Sequence, residues 1–337
     1  TDEGEGKGGR PDLLPHRQGF DEYFTGFMQD YTASHALDGT PYPDAPREVT
    51  EKGCRVVLQT EWALQFLKRR AAETANRKPF FLYLAYMAPH TPLEFPKPWI
   101  DHVPKELPRE RRSALALIAA IDDGVGRVRQ QLKEMGQSEN TLIFFLGDNG
   151  APLGTKWDGS VNLPMRGQKG MVSEGGIRVP FVAAWPGKIP GGQVFKHPVI
   201  SLDIAATAIA SAGQPTAPEL DGVDLLPYVT GEKKEPPHQT LTWRWVDQAA
   251  IQEFPYKLIV LGRVKPMLFD IGTPEGEDCT RELSVQQPEI AKRLHAKLDV
   301  WLATLKRPGT PQPIADHRKS FFIQSDILPD KAGDTQE

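Results

Sequence analysis

The sequence predicts an α/β fold: a mostly parallel sheet with helices on both faces, followed by a small α+β subdomain. Three observations carry this. Phe80–Tyr86 and Thr141–Leu146 are short, continuous apolar runs, the pattern of strands buried on both faces. The long stretch between them includes a helical pattern over Arg109–Met135, so the strands need crossover connections. Beyond Glu232–His238, a Pro- and Lys-containing linker, the chain changes to short strands and one amphipathic helix.

In chain order, residues 1–50 hold little periodicity, but Phe20, Tyr23 and Phe24 are expected to dock on a core. From Glu51 to about Ala75, Val57, Leu58, Trp62, Leu64 and Leu67 recur at helical spacing. Gly136 is a natural stop for the Arg109–Met135 helix. Arg178–Trp185 reads as a third strand, closed by Pro186-Gly187. Ser201–Ala212 reads as a helix with a serine N-cap and Gly213 after its end. Leu241–Trp245, Lys257–Leu261 and Met267–Phe269 are short strand candidates, and Pro288–Leu305 is a helix with Ile290, Leu294, Leu298, Trp301, Leu302 and Leu305 on one face. The expected organisation is a first α/β domain over 1–231, an α+β subdomain over 232–306 and a polar tail over 307–337.

Composition narrows the function classes. The 337 residues are 39% hydrophobic and 25% charged, which is globular rather than disordered. A net charge of −4 argues against an electrostatic nucleic-acid binder. No apolar run is long enough for a membrane span. Thirty glycines and 31 prolines point to many shaped loops on a regular scaffold. Two cysteines, Cys54 and Cys279, exclude a disulfide-dense framework and a cysteine-rich zinc site; their pairing is open.

In an open parallel sheet, ligands bind beyond the carboxyl ends of the strands. His90 follows the first apolar run, and Asp148-Asn149 directly follows Leu146. A carboxylate beside a carboxamide supplies oxygen donors for a hard cation, although Asp-Asn-Gly also suits a plain turn. In Asn162–Pro180, glycines at 167, 170, 175 and 176 allow a backbone to approach a ligand, and Arg166, Lys169 and Arg178 add positive charge. That composition suits a tetrahedral oxyanion ester; a solvated basic loop is the plainer alternative. Asp122-Asp123 lies inside a helical run, where adjacent side chains diverge, and reads as a solvated or capping pair.

Phe81–Pro92, Leu146–Gly150, Arg166–Gly170 and Glu174–Pro180 resemble, in order and spacing, the motifs of the sulfatase family. His16–Phe24, Leu220–Pro227 and Leu268–Asp270 add to the resemblance, and Trp157-Asp-Gly-Ser160 is similar to its arylsulfatase-A-like branch. The resemblance implies an alkaline-phosphatase-like α/β domain with a smaller C-terminal subdomain, and hydrolysis of sulfate esters by a formylglycine beside bound Ca²⁺, with Mg²⁺ as an alternative. It implies Asp148 and Asn149 as metal ligands, and Lys169 and His90 as the residues that contact the sulfate and assist the leaving oxygen. Arg166 and Trp157 are carried over as loop and pocket residues that bind substrate. It also implies a sulfated small molecule or polysaccharide as partner, and periplasmic or secreted residence.

The family's nucleophile motif, Cys or Ser, any residue, Pro, Ser or Ala, then Arg, does not occur in residues 1–337, so the formylglycine precursor is absent here. The expectation is therefore an N-terminally incomplete sulfatase, with weak Ca²⁺ binding and no meaningful turnover by this chain alone. Two alternatives stand beside it. One is a phosphate or phosphonate monoesterase of the same superfamily, since sulfate and phosphate are both tetrahedral oxyanions. The other is a non-catalytic sulfated-glycan-binding protein.

Overall fold

The computed structural model describes residues 13–73, 78–153, 162–262, 264–306 and 322–329. They fall into two compact units, Thr1–Thr141 and Leu142–Glu337.

The first unit carries an antiparallel sheet of β1 (Phe24–Phe27), β2 (Asp30–Ala33) and β3 (Arg47–Thr50). The expected docking of the early aromatics occurs here. Tyr23 is buried, and Phe24 stacks on Tyr31 at 4.2 Å and on Trp62 at 5.9 Å. Two long helices, α1 (Arg55–Ala72) and α2 (Arg109–Glu134), follow the predicted helical spans closely. On α2 the buried residues Ser113, Ala116, Leu117, Ala120, Ile121 and Gly124 recur every three or four positions. Such spacing keeps one stripe facing a core. That core joins Leu117, Ala120 and Ile121 to Val56 and Ala88. Gly124 is tied to this packing, because a Cβ there would lie 2.5 Å from the Tyr86 hydroxyl and 2.6 Å from Thr60 Oγ1.

Phe80–Tyr86 does not join a strand ladder among the described residues. Its side chains nevertheless alternate between half-buried and exposed, with Phe81 60% and Tyr83 71% exposed. The expectation of a strand buried on both faces is corrected: the segment is extended, with one face outward. Asp122 and Asp123 are both exposed on α2, as expected of a solvated pair; they lie mid-helix and cap nothing.

In the second unit, β4 (Ile143–Leu146) pairs with β5 (Phe181–Ala184) in antiparallel register, Ile143 opposite Ala184. All described strand pairs are antiparallel, which corrects the expected parallel arrangement of these two strands. The physical reason lies in the connection. Among the described residues of 147–180 the one helix is the single turn α3 (Glu174–Ile177), with no helical crossover among them. Helix α4 (Asp203–Ser211) follows, then a short α5 (Leu226–Val229). The α4 N-cap is Leu202, not Ser201. Asp203 takes over the local bonding: its buried carboxylate accepts from the backbone N–H of Ile200 and of Val223, both at 2.9 Å, and pairs with His238 Nε2 at 2.8 Å.

Strands β6 (Leu241–Trp245), β7 (Gln248–Glu253), β8 (Tyr256–Leu261) and β9 (Val264–Asp270) form an antiparallel sheet in that order. Period-2 alternation gives this sheet two faces. Ala249, Ile251, Leu258 and Leu268 pack on Leu294 and Leu298 of α6 (Pro288–Thr304). Ala250, Ile259, Met267 and Phe269 pack on Met171 and Val172 from the connection, and on Phe322, Ile327 and Leu328. Within the described part of the expected polar tail, Phe322, Ile327 and Leu328 are thus core, because they cover the second sheet face. The residue 231/232 boundary lies inside this unit.

Candidate active site

The site is built from loops pinned to the scaffold. Directly after β4 come Gly147-Asp148-Asn149-Gly150. Asp148 is exposed and Asn149 half-buried. Asp148 Oδ1 accepts from the Asn149 N–H at 2.8 Å, and Asn149 Nδ2 donates to the Gly150 carbonyl at 3.0 Å. Both bonds run between adjacent residues at a bend, and they leave side-chain oxygens at the strand end.

Lys169 sits in the same folded loop system. Its backbone N–H donates to the Ala151 carbonyl at 3.3 Å, two residues past Asn149. The flanking Gln168 accepts from the Leu153 N–H at 2.7 Å. Asn162 ties the loop further, with Nδ2 donating to the carbonyls of Ala151 (2.8 Å) and Gly167 (3.0 Å) and Oδ1 accepting from the Ala151 N–H (3.0 Å). The Lys169 side chain is exposed. The Lys169 backbone is thus tied two residues beyond Asn149, within one unit.

Gly175 and Gly176 do something other than admit a ligand. A Cβ on Gly175 would lie 2.3 Å from the Gly167 carbonyl oxygen, and one on Gly176 2.1 Å from that of Met171. These residues let backbone pass against backbone. Arg166 is likewise committed: its guanidinium pairs with Asp278 and, at 3.0 Å, with Asp326. It acts as an anchor of the loop.

Beneath the loop lies a buried ionic cluster that motif reading missed. Lys257 Nζ is 2.8 Å from Glu174 Oε1 and 2.9 Å from Glu277 Oε1, and Glu277 Oε2 accepts from the Glu174 N–H at 2.7 Å. Burial opposes charge on Lys257, but its two carboxylate neighbours outweigh that and hold it above the usual lysine range. Burial pushes the Glu277 carboxyl up to about 7 against the pull of Lys257, and Glu174 adds repulsion. The sequence did carry a signal for this cluster: a lone lysine in the apolar strand Tyr256–Leu261.

His90 belongs to the first unit and is exposed. Its Nδ1 lies 2.7 Å from the Thr91 carbonyl, and its backbone N–H donates to the Met87 carbonyl. Buried Arg55, at the start of α1, grips this loop through the carbonyls of Pro92 (2.6 Å) and His90 (3.3 Å) and through Glu94 (2.9 Å). Trp157 lies outside the described residues.

Both cysteines are free. Burial pushes the Cys54 and Cys279 thiols up, the opposite of an activated nucleophile. Among the described residues, no group of three or more His, Cys, Asp or Glu side chains could hold a metal ion. Ca²⁺ takes 6–8 oxygens, so Asp148 and Asn149 with the described residues do not by themselves fit one.

A family model described as Sulfatase matches residues 6–214. The chain is 37% identical over 257 residues to the uncharacterized sulfatase YdeN of Escherichia coli (strain K12), covering 70% of this chain and 42% of that protein. It is 31% identical over 238 residues to N-acetylgalactosamine-6-sulfatase of Homo sapiens, covering 65% and 44%. It therefore spans less than half the length of these curated relatives. The solved structure of Ps i-CgsB in complex with k-i-k-neocarrahexaose superposes with a TM-score of 0.75 at 27% identity, covering 95% of this chain and 74% of that one. The fold is of the alkaline-phosphatase-like kind these proteins share.

Proposed function

Because the chain belongs to the sulfatase family, we propose that the protein is a sulfuric ester hydrolase acting on a sulfated carbohydrate. On this reading the Lys169 loop receives the sulfate group. The observation that carries it is the backbone bond from Lys169 to Ala151, which ties the Lys169 backbone close to the Asp148-Asn149 strand end. The names of the relatives support a sulfated sugar as substrate: one is an N-acetylgalactosamine-6-sulfatase, and one solved relative holds a neocarrahexaose. Periplasmic or secreted residence goes with that substrate class.

The chemistry follows from charge. In ester cleavage, negative charge grows on the leaving oxygen. An ammonium held by a fixed backbone stabilises that charge without reorganisation. The Lys169 Nζ would pair with the sulfate oxygens and with that oxygen. Residues 1–337 hold no Cys/Ser-x-Pro-x-Arg nucleophile, and both cysteine thiols are raised, so substrate binding without meaningful turnover is expected of this chain.

Calorimetric titration with an aryl sulfate and an aryl phosphate tests the reading. Wild type binds the sulfate, and Lys169→Ala weakens it about tenfold or more, the worth of a charge-assisted contact. Equal binding by the variant sinks the assignment. A clear preference for the aryl phosphate would replace the sulfatase reading with a phosphomonoesterase one.

A further inference from the structure

We infer that Gln248 is a positioning residue that sets where Lys169 is presented; the inference rests on the proposed sulfate-receiving role of Lys169. Gln248 opens β7 on the sheet face that packs against the loop, and it is fully buried. Its carboxamide makes two bonds to the backbone just beyond Lys169. Nε2 donates to the Gly170 carbonyl at 3.0 Å, and Oε1 accepts from the Val172 N–H at 3.1 Å. One side-chain amide thus does what a neighbouring strand would do, satisfying an acceptor and a donor two residues apart.

The loop needs this grip. Gly170 has φ +81°, a left-handed conformation that glycine adopts without penalty and also leaves readily. On the other side, the Lys169 N–H is held by the Ala151 carbonyl. Between these two attachments the Cα of Lys169 has little freedom, which matters because its long side chain is exposed and otherwise mobile. A misplacement of about 1 Å at a catalytic group can cost on the order of 10²-fold in rate. Val172 is buried, so losing the carboxamide leaves its N–H without a partner and favours a shifted loop. The Lys257–Glu174–Glu277 cluster holds the far end of the same segment, so the loosening should be confined to residues near 170.

The test uses Gln248→Met, similar in size but unable to make either bond, and Gln248→Glu, which as a carboxylate can accept from Val172 but cannot donate to Gly170. Hydrogen exchange of the Gly170–Val172 amides should rise at least about tenfold in Gln248→Met, with β8 amides unchanged. Aryl sulfate binding should weaken about tenfold, yet Gln248→Met should cost nothing further in a Lys169→Ala background, since coupled residues are non-additive. Gln248→Glu should fall between the two and serves if Gln248→Met unfolds. Unchanged exchange, or an undiminished binding loss without Lys169, overturns the assignment. If wild type binds no aryl sulfate, the functional reading fails and the role of Gln248 in binding fails with it; the exchange pattern still shows by itself whether the clamp exists.

Discussion

At the scale of single residues, the loop after β4 is held by glycines packed backbone on backbone. Gly175 would place a Cβ 2.3 Å from one carbonyl oxygen and 2.4 Å from another, those of Gly167 and Arg166. No side-chain rotation relieves a clash with backbone. Gly175→Ala should therefore destabilise the chain by about 3 kcal/mol, the upper end of overpacking costs, read as a lower urea midpoint. These glycines stood out in the sequence for a different reason, as room for a ligand. Sequence alone does not distinguish a backbone that approaches a substrate from one that approaches itself. Arg166 shows the same limit. Its positive charge was legible, but its commitment to Asp278 and Asp326, more than a hundred residues away, was not.

At the scale of elements, the joint between the loop and the C-terminal sheet is ionic and buried, so it should respond to pH. Glu277 has a folded-state pKa of about 7, above its ordinary carboxylate value. A raised pKa means the folded state holds the proton more tightly. The resulting stability is complete below the unfolded pKa and is lost as pH rises through the folded one. The raised Lys257 contributes in the same sense, but only at strongly alkaline pH. Thermal midpoints should thus fall between about pH 5 and pH 7.5. Glu277→Gln should flatten that slope; a slope that persists in the variant would place its origin elsewhere. Helices α1, α2 and α6 were legible because each repeats its apolar stripe over many turns. Strand β7 was not: Gln248-Ala-Ala-Ile-Gln-Glu lacks alternation and has Ile251 alone as a β-branched residue, and pairing with β6 and β8 makes it a strand.

At the scale of the whole molecule, each of the two units has its own core, and the second unites the β4–β5 connection with the C-terminal sheet. Asp148 and Asn149 stand at the end of β4, and among the described residues no group of three or more His, Cys, Asp or Glu side chains could hold a metal ion. Calorimetry should therefore find Ca²⁺ binding weaker than about 10⁻⁴ M, the weak end of protein sites. Tight one-to-one binding would contradict this. The sequence by itself determined the class of fold, the long helices and the family, because those are written in local periodicity and in short motifs. Tertiary structure alone decided the antiparallel pairing of β4 with β5, the burial of Phe322, Ile327 and Leu328, and the clamp from Gln248 and Lys257 on the Lys169 loop. The reason is physical: hydrogen-bond partners and counter-charges are chosen by proximity in space, and residues such as 170 and 248 carry no local mark of meeting.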